Sequence, residues 1–253
     1  MLTFTEAQIA AWLSPVLWPF LRVLAMLSVA PVFSMRAIPV RTKIGLALLV
    51  SVCSQAMLEG QPVVSVNSPQ ALGAVAHQVM VGLALGFAVR LVFAAVELAG
   101  EIIGLQMGLN FASFFDPASG AQLSAVGRFF GNIALLLFVV INGHLLLIMA
   151  VVTSFERFPV DGNFLQAINS MRIFDMGSAL FSSAFWIALP MMALLLFINL
   201  TMGIISRIAP QMNIYAVGFP VTLTVGLIGI TATLPMLEQP LLNLLQRAID
   251  LTQ

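Results

Sequence analysis

The sequence predicts an all-α, polytopic membrane protein with about six hydrophobic segments, and three observations carry that prediction. Residues 176–206, 129–155 and 208–237 contain no Asp, Glu, Lys or Arg, and residues 60–89 carry only His77 as an ionisable group. A bilayer core of about 30 Å needs roughly 20 apolar residues as helix, so each run is long enough to cross. Of 253 residues, 60% are hydrophobic and 8% charged, with a mean hydropathy of +1.07. A soluble domain carries about 25% charged residues, so no water-soluble core accounts for this balance. Finally, Pro15, Pro19, Pro31, Pro190, Pro220 and Pro235 fall in or at the edges of apolar segments. Each interior proline frees a backbone carbonyl, which is tolerated where protein rather than lipid re-satisfies it. Ordinary kinks explain one or two; their number favours helices packed on other helices.

The elements follow in order. The first segment covers about residues 7–33. It lacks a basic n-region, carries Glu6 and is interrupted by Pro15, Pro19 and Arg22, so it reads as a retained helix rather than a signal peptide. The second, 44–58, is short for a span. The others cover about 71–99, 126–155, 176–206 and 212–234. Residues 163–174 place Phe164, Ile168 and Met171 at helical spacing, and residues 237–250 place Leu241, Leu244, Leu245 and Ala248 on one side, so both read as amphipathic helices. Arg36, Arg41 and Lys43 form the clear basic cluster and argue for a cytoplasmic first loop. Elsewhere the signs mix, as in Glu156, Arg157 and Asp161.

Composition also excludes functions. Ten basic and ten acidic residues leave no net charge and no electrostatic footprint for nucleic acid. Cys53, the single cysteine, rules out an internal disulfide and reads as a small buried side chain. His77 and His144 have no acidic or cysteine neighbour at ligand spacing, so no metal or other cofactor is expected. HExxH, GxSxG and a Walker-type glycine loop are all missing, and an enzyme is not predicted.

The candidate functional residues are ionisable groups inside apolar segments and one unusual loop. Arg22 and Arg90 stand in such segments; Glu97 and Glu101 follow Arg90 about two and three turns on and are themselves one turn apart. Charges at that depth cost about 2.5–3.5 kcal/mol on insertion scales and normally face protein or water. A proton relay and an interhelical or intersubunit ion pair are both open readings. Arg207 closes the fifth segment, where it snorkels, pairs or simply anchors at the interface. Asn142-Gly143-His144 marks a break or bend in the fourth segment.

The loop at 104–120 is rich in glycine and small residues, yet places Met107, Phe111, Phe114 and Phe115 where a solvent loop would be polar. Asp116-Pro117 is a turn signal. Exposed aromatics need cover, so the loop is either re-entrant and packed into the bundle or a hydrophobic plug for a pore, because apolar constrictions gate by excluding water.

The ordered set Trp18-Pro-Phe-Leu-Arg22, Ala30-Pro31, Arg36-Ala-Ile-Pro39, Gly82-Leu-Ala-Leu-Gly86, Gly104-Leu-Gln-Met-Gly-Leu-Asn-Phe111, Asp116-Pro117, Asn142-Gly-His144, Arg207-Ile-Ala-Pro-Gln-Met-Asn-Ile214 and Gly218-Phe-Pro220 resembles the FliR family of flagellar biosynthesis proteins, related to the SctT export proteins of virulence type III secretion systems. The resemblance runs almost end to end. It implies a single-copy, non-catalytic subunit of an export gate in the bacterial inner membrane, within the flagellar basal body and partly on its periplasmic side. FliP and FliQ proteins would be its partners in a helical assembly of kinked hairpins, with FlhB and FlhA in contact, membrane lipid around it, and unfolded flagellar subunits in transit. It further implies a FliP-like part over about 1–175, including the plug loop 104–120, and a FliQ-like hairpin with a C-terminal helix over about 176–253. By the same resemblance the loop with Met107, Phe111, Phe114, Phe115, Asp116 and Pro117 is the plug, Phe111 and Phe114 being the best-matched aromatics; the positions of Arg22, Arg90, Glu97, Glu101 and Arg207 in or at the ends of apolar segments read as buried or interhelical charges. Ala118 stands where many relatives have glycine, and Phe115 where a smaller residue is common, which bears on how the plug packs. The competing reading is a secondary transporter for a small solute. That class usually shows internal repeats and broken helices converging on midplane polar residues, whereas the few buried charges here cluster near one helix end.

Overall fold

The computed structural model describes residues 6–57, 62, 64–109, 124–161, 173–211 and 214–250, and all regular structure among them is helical. Helix α1 (Glu6–Val29) ends where Pro31 forces Ala30 out of the helical region, and a single turn, α2 (Pro31–Ser34), follows. Helix α3 (Val40–Cys53) begins after an extended Pro39 and runs into a short 3₁₀ turn, Ser54–Met57. Then come α4 (Ala71–Gln106), α5 (Ala125–Val140), α6 (Gly143–Arg157), α7 (Ile173–Ile208) and α8 (Ile214–Thr233). A second 3₁₀ turn, Leu234–Leu237, leads to α9 (Glu238–Asp250).

Among the described residues, four helical stretches are long and apolar enough to cross a membrane: Trp12–Val29, Ala71–Gln106, Asp175–Ile208 and Ala216–Asp250. The bent pair α5–α6 makes a fifth if counted as one span. The bend is 69° and falls at Asn142, whose φ of 57° is left-handed, so the break expected at Asn142-Gly143-His144 is present. Gly143 is required there, because a Cβ would lie 2.5 Å from the Phe138 ring. The second hydrophobic segment is the 14-residue α3, about 21 Å long and too short to span. Helices α4 and α7 have 36 residues each, about 54 Å, and overrun the segments drawn from hydropathy by several residues. The C-terminal amphipathic helix is α9, with Leu241, Leu245 and Ala248 buried and Leu244 half-buried. Of the other amphipathic stretch, Phe164, Ile168 and Met171 lie outside the described residues.

Cys53 corrects the sequence reading: it is exposed, on the C-terminal part of α3 with Leu48, Leu49 and Val52, which are exposed as well. In a membrane protein an apolar run says that water is excluded, not that the chain covers its own side chains.

The chain divides into two compact units. The first comprises residues 1–91, 138–177 and 245–253. Trp18, Val64, Ala71, Ala74, Phe155 and Val160 cluster there, with Leu21 against them. The Trp18 indole donates to Ser14 Oγ at 2.9 Å and to the Val64 carbonyl at 3.3 Å, which satisfies its polar edge inside the cluster. Helices α1 and α4 run in the same sense and nearly touch: a Cβ on Gly82 would collide with the Arg22 carbonyl, and one on Gly86 would lie 2.7 Å from that of Met26. Glycines four apart on one face are what so close a crossing needs.

The second unit comprises residues 92–137 and 178–244. Here α4 and α5 are antiparallel, Gly100 facing Val126 and Phe130, with Glu97 over Gly131 and Glu101 over Gly127. Helices α7 and α8 form an antiparallel hairpin in which Met191 fills the notch at Gly229 and Met202 lies opposite Gly218.

Candidate functional site

Arg22 sits in the middle of α1 and is fully buried. All three of its guanidinium nitrogens donate: Nε to Gln78 Oε1 at 2.7 Å, one Nη to Ser154 Oγ at 2.8 Å, the other Nη to the Phe158 carbonyl at 2.6 Å. Its Cζ lies 3.5 Å from the centre of the Phe155 ring. The charge is therefore held by an amide, a hydroxyl, a carbonyl and an aromatic face, and it ties α1 to α4 and α6. Ser154 Oγ passes the chain on by donating to the Val151 carbonyl at 2.6 Å. The Gln78 amide nitrogen reaches His77 Nδ1 at 3.3 Å and the Val160 carbonyl at 3.4 Å. His77 is buried beside Phe158, with ring centres 6.4 Å apart. Sequence reasoning singled out Arg22 but missed Gln78 and Ser154. The available signal was Gln78 itself, a strong hydrogen-bonding amide inside a charge-free run.

Arg90, on the same helix as Gln78, is exposed. Glu97 and Glu101 are half-buried over the two glycines of α5. Glu101 accepts the backbone N–H of Ser124, the residue that precedes α5, and Ser124 Oγ in turn accepts the Gly127 N–H at 3.0 Å. A carboxylate from one helix thus caps the N-terminus of its neighbour, where the helix dipole favours negative charge. Arg207, in the last turn of α7, is exposed.

Phe111, Phe114, Phe115, Asp116 and Pro117 lie outside the described residues, but both flanks of their segment are described. On the N-terminal side, the Leu109 N–H bonds to the Gly104 carbonyl and the Gly108 N–H to that of Leu105, each at 3.1 Å, with Gly108 at φ 79°. This is a Schellman stop, and it explains Gly108: only Gly takes that conformation without strain. Met107, inside the stop, is fully buried. Its side chain occupies the notch at Gly226 on α8, and its carbonyl faces Thr222 Oγ1 at 3.5 Å. On the C-terminal side stands the Glu101–Ser124 cap.

Long apolar helices, glycine-notched crossings and a buried, hydrogen-bonded cation define a multi-pass helical membrane protein. The family described as "Bacterial export proteins, family 1" matches residues 13–248. The flagellar biosynthetic protein FliR of Escherichia coli (strain K12) is 43% identical over 237 residues, covering 94% of this chain and 90% of that protein. FliR of Pectobacterium carotovorum subsp. carotovorum is 41% identical over 253 residues, 99% and 96% of the two chains, and FliR of Bacillus subtilis (strain 168) 30% identical over 234 residues, 91% and 90%. The chain belongs to the FliR family of flagellar export proteins.

Proposed function

We propose that this chain is a pore-forming subunit of the flagellar type III export gate in the bacterial inner membrane, present once per gate and itself without catalysis. FliP- and FliQ-family proteins complete the ring with it, FlhB- and FlhA-family proteins touch it, and unfolded flagellar subunits pass through. In this reading α7 and α8 are the FliQ-like hairpin, and the segment holding Phe111, Phe114, Phe115, Asp116 and Pro117 closes the lumen when no substrate is present.

The observation that carries the reading is the surface of the α7–α8 hairpin, taken with family membership. Trp186, Phe197, Leu200, Ile204 and Ile208 on α7 and Phe219, Leu227 and Ile228 on α8 are exposed. Helix α7 is about 54 Å long against a hydrocarbon core of about 30 Å, so lipid covers only part of that surface and protein must cover the rest. An export apparatus supplies such neighbours.

The closing role is tested on assembled gates carrying Phe111→Ala and Phe114→Ala. Removing two rings from an apolar constriction lets water in. Assembly should persist and ion conductance should rise; a gate that assembles and stays as tight as wild type contradicts the plug. Poor assembly with no leak would mean that the segment only packs the bundle.

A further inference from the structure

We infer that Met107 is a positioning residue rather than part of the seal: it keys the start of the closing segment into α8 through the notch at Gly226. The inference rests on the reading of that segment as the stopper. It starts from three facts at one place. Met107 is fully buried, immediately after the last residue of α4. A Cβ at Gly226 would lie 2.6 Å from Met107 Cγ and Cε and 2.7 Å from Sδ, so the thioether fills the space that a side chain would take. Thr222, one turn earlier on the same face of α8, is buried and points its hydroxyl towards the Met107 carbonyl.

A fully buried methionine cannot line a lumen, whereas an unbranched thioether locked in a glycine notch can hold a backbone in place while remaining soft enough to be released. The Schellman stop at Gly108 then ends the helix at a fixed point. At the far flank, Glu101 fixes Ser124 onto α4, so the described residues on both sides of the segment are held at set positions. Positions 107 and 226 therefore act as one joint, and the effect of changing one depends on the other.

The test is conductance of assembled gates bearing Met107→Ala, Gly226→Ala or both, with Phe111→Ala, Phe114→Ala gates as the control for the stopper. Each single change should raise the leak about tenfold, the effect of a 1.4 kcal/mol shift in a closed–open balance. The pair should leak less than either single variant, because the new methyl occupies the space that the thioether vacates. A Met107→Ala leak that is unchanged or increased by Gly226→Ala overturns the joint and puts Met107 in the seal. Tight single variants beside a leaking control also overturn it, while a tight control removes the stopper reading itself. Should Gly226→Ala gates not assemble, thiol cross-linking of Met107→Cys to Thr222→Cys in a Cys53→Ser chain decides: efficient linkage within the assembled gate supports the joint, and none sinks it.

Discussion

Two helices of equal length show how differently apolar surface is covered within this chain. In the most apolar 18-residue stretch of α4, 61% of residues are buried; in that of α7 the share is 17%. The first unit surrounds α1 with its own groups. Arg22 at its centre has an interior partner for each nitrogen, and Gly82 and Gly86 let α4 approach the backbone of α1. In the second, the α7–α8 hairpin packs along a narrow line of Met191 and Gly229 and turns large side chains such as Trp186 and Phe197 outward. Equal hydrophobicity thus serves two ends. Around Arg22 the chain covers apolar side chains with its own groups, while on the hairpin it leaves them at its surface.

The sharpest way to break this contrast is at Arg22. Arg22→Met keeps the bulk but strands Gln78 Oε1 and the Phe158 carbonyl without their charged donor. A loss of about 3–5 kcal/mol is expected, visible as a fall in chain level without any partner and a lower denaturation midpoint in detergent. Arg22→Lys should recover less than half, since one ammonium cannot span three acceptors in fork geometry. A wild-type midpoint for Arg22→Met would mean that the first unit is not held from its centre.

Next in size is the outward face of α7. Phe197→Asn with Leu200→Asn should leave the isolated chain's midpoint unmoved, because both side chains are exposed. The yield of complex with the other export components should fall about tenfold, the equivalent of 1.4 kcal/mol. Equal losses in chain and complex would erase the distinction between the units.

Smaller again is the cap at the α4–α5 joint. Glu101→Ala should cost about 1 kcal/mol by removing the acceptor for the Ser124 N–H, while Glu101→Gln keeps an oxygen there and should cost less. If Glu101→Gln instead assembles normally but abolishes export, the carboxylate relays protons and the cap is secondary. The smallest effect belongs to Gln106, whose Oε1 is buried with no hydrogen-bond partner among the described residues. Gln106→Leu should be neutral or slightly stabilising to the chain, since removing an orphaned acceptor removes its desolvation penalty. A drop in complex yield would show that a neighbouring subunit donates to it.

Much of the fold was legible in the sequence because its signals were local. Uncharged runs mark the helices, Pro31 ends α1, and Asn142-Gly143 breaks the fourth segment. Helix ends were less legible: hydropathy stopped the third segment near residue 99, but α4 continues to Gln106, where the Gly108 stop rather than a polar residue ends it. At the site, Arg22, Glu97 and Glu101 were visible as charges in apolar surroundings. Their partners were not, since Gln78, Ser154 and the glycines of α5 carry no periodic signature and meet them across 56, 132 and 26 or 34 positions of chain. Cys53 was misread for a related reason: in this chain apolar context does not distinguish a core from a surface meant for lipid or another subunit.

The central claim is that the hairpin surface is completed by different proteins of the export apparatus, around one copy of this chain. Native mass spectrometry of complexes purified from the membrane tests it most directly. The account predicts a hetero-oligomer containing FliP- and FliQ-family proteins and a single copy of this chain. A stable homo-oligomer, or a well-behaved monomer that co-purifies with nothing, would contradict it.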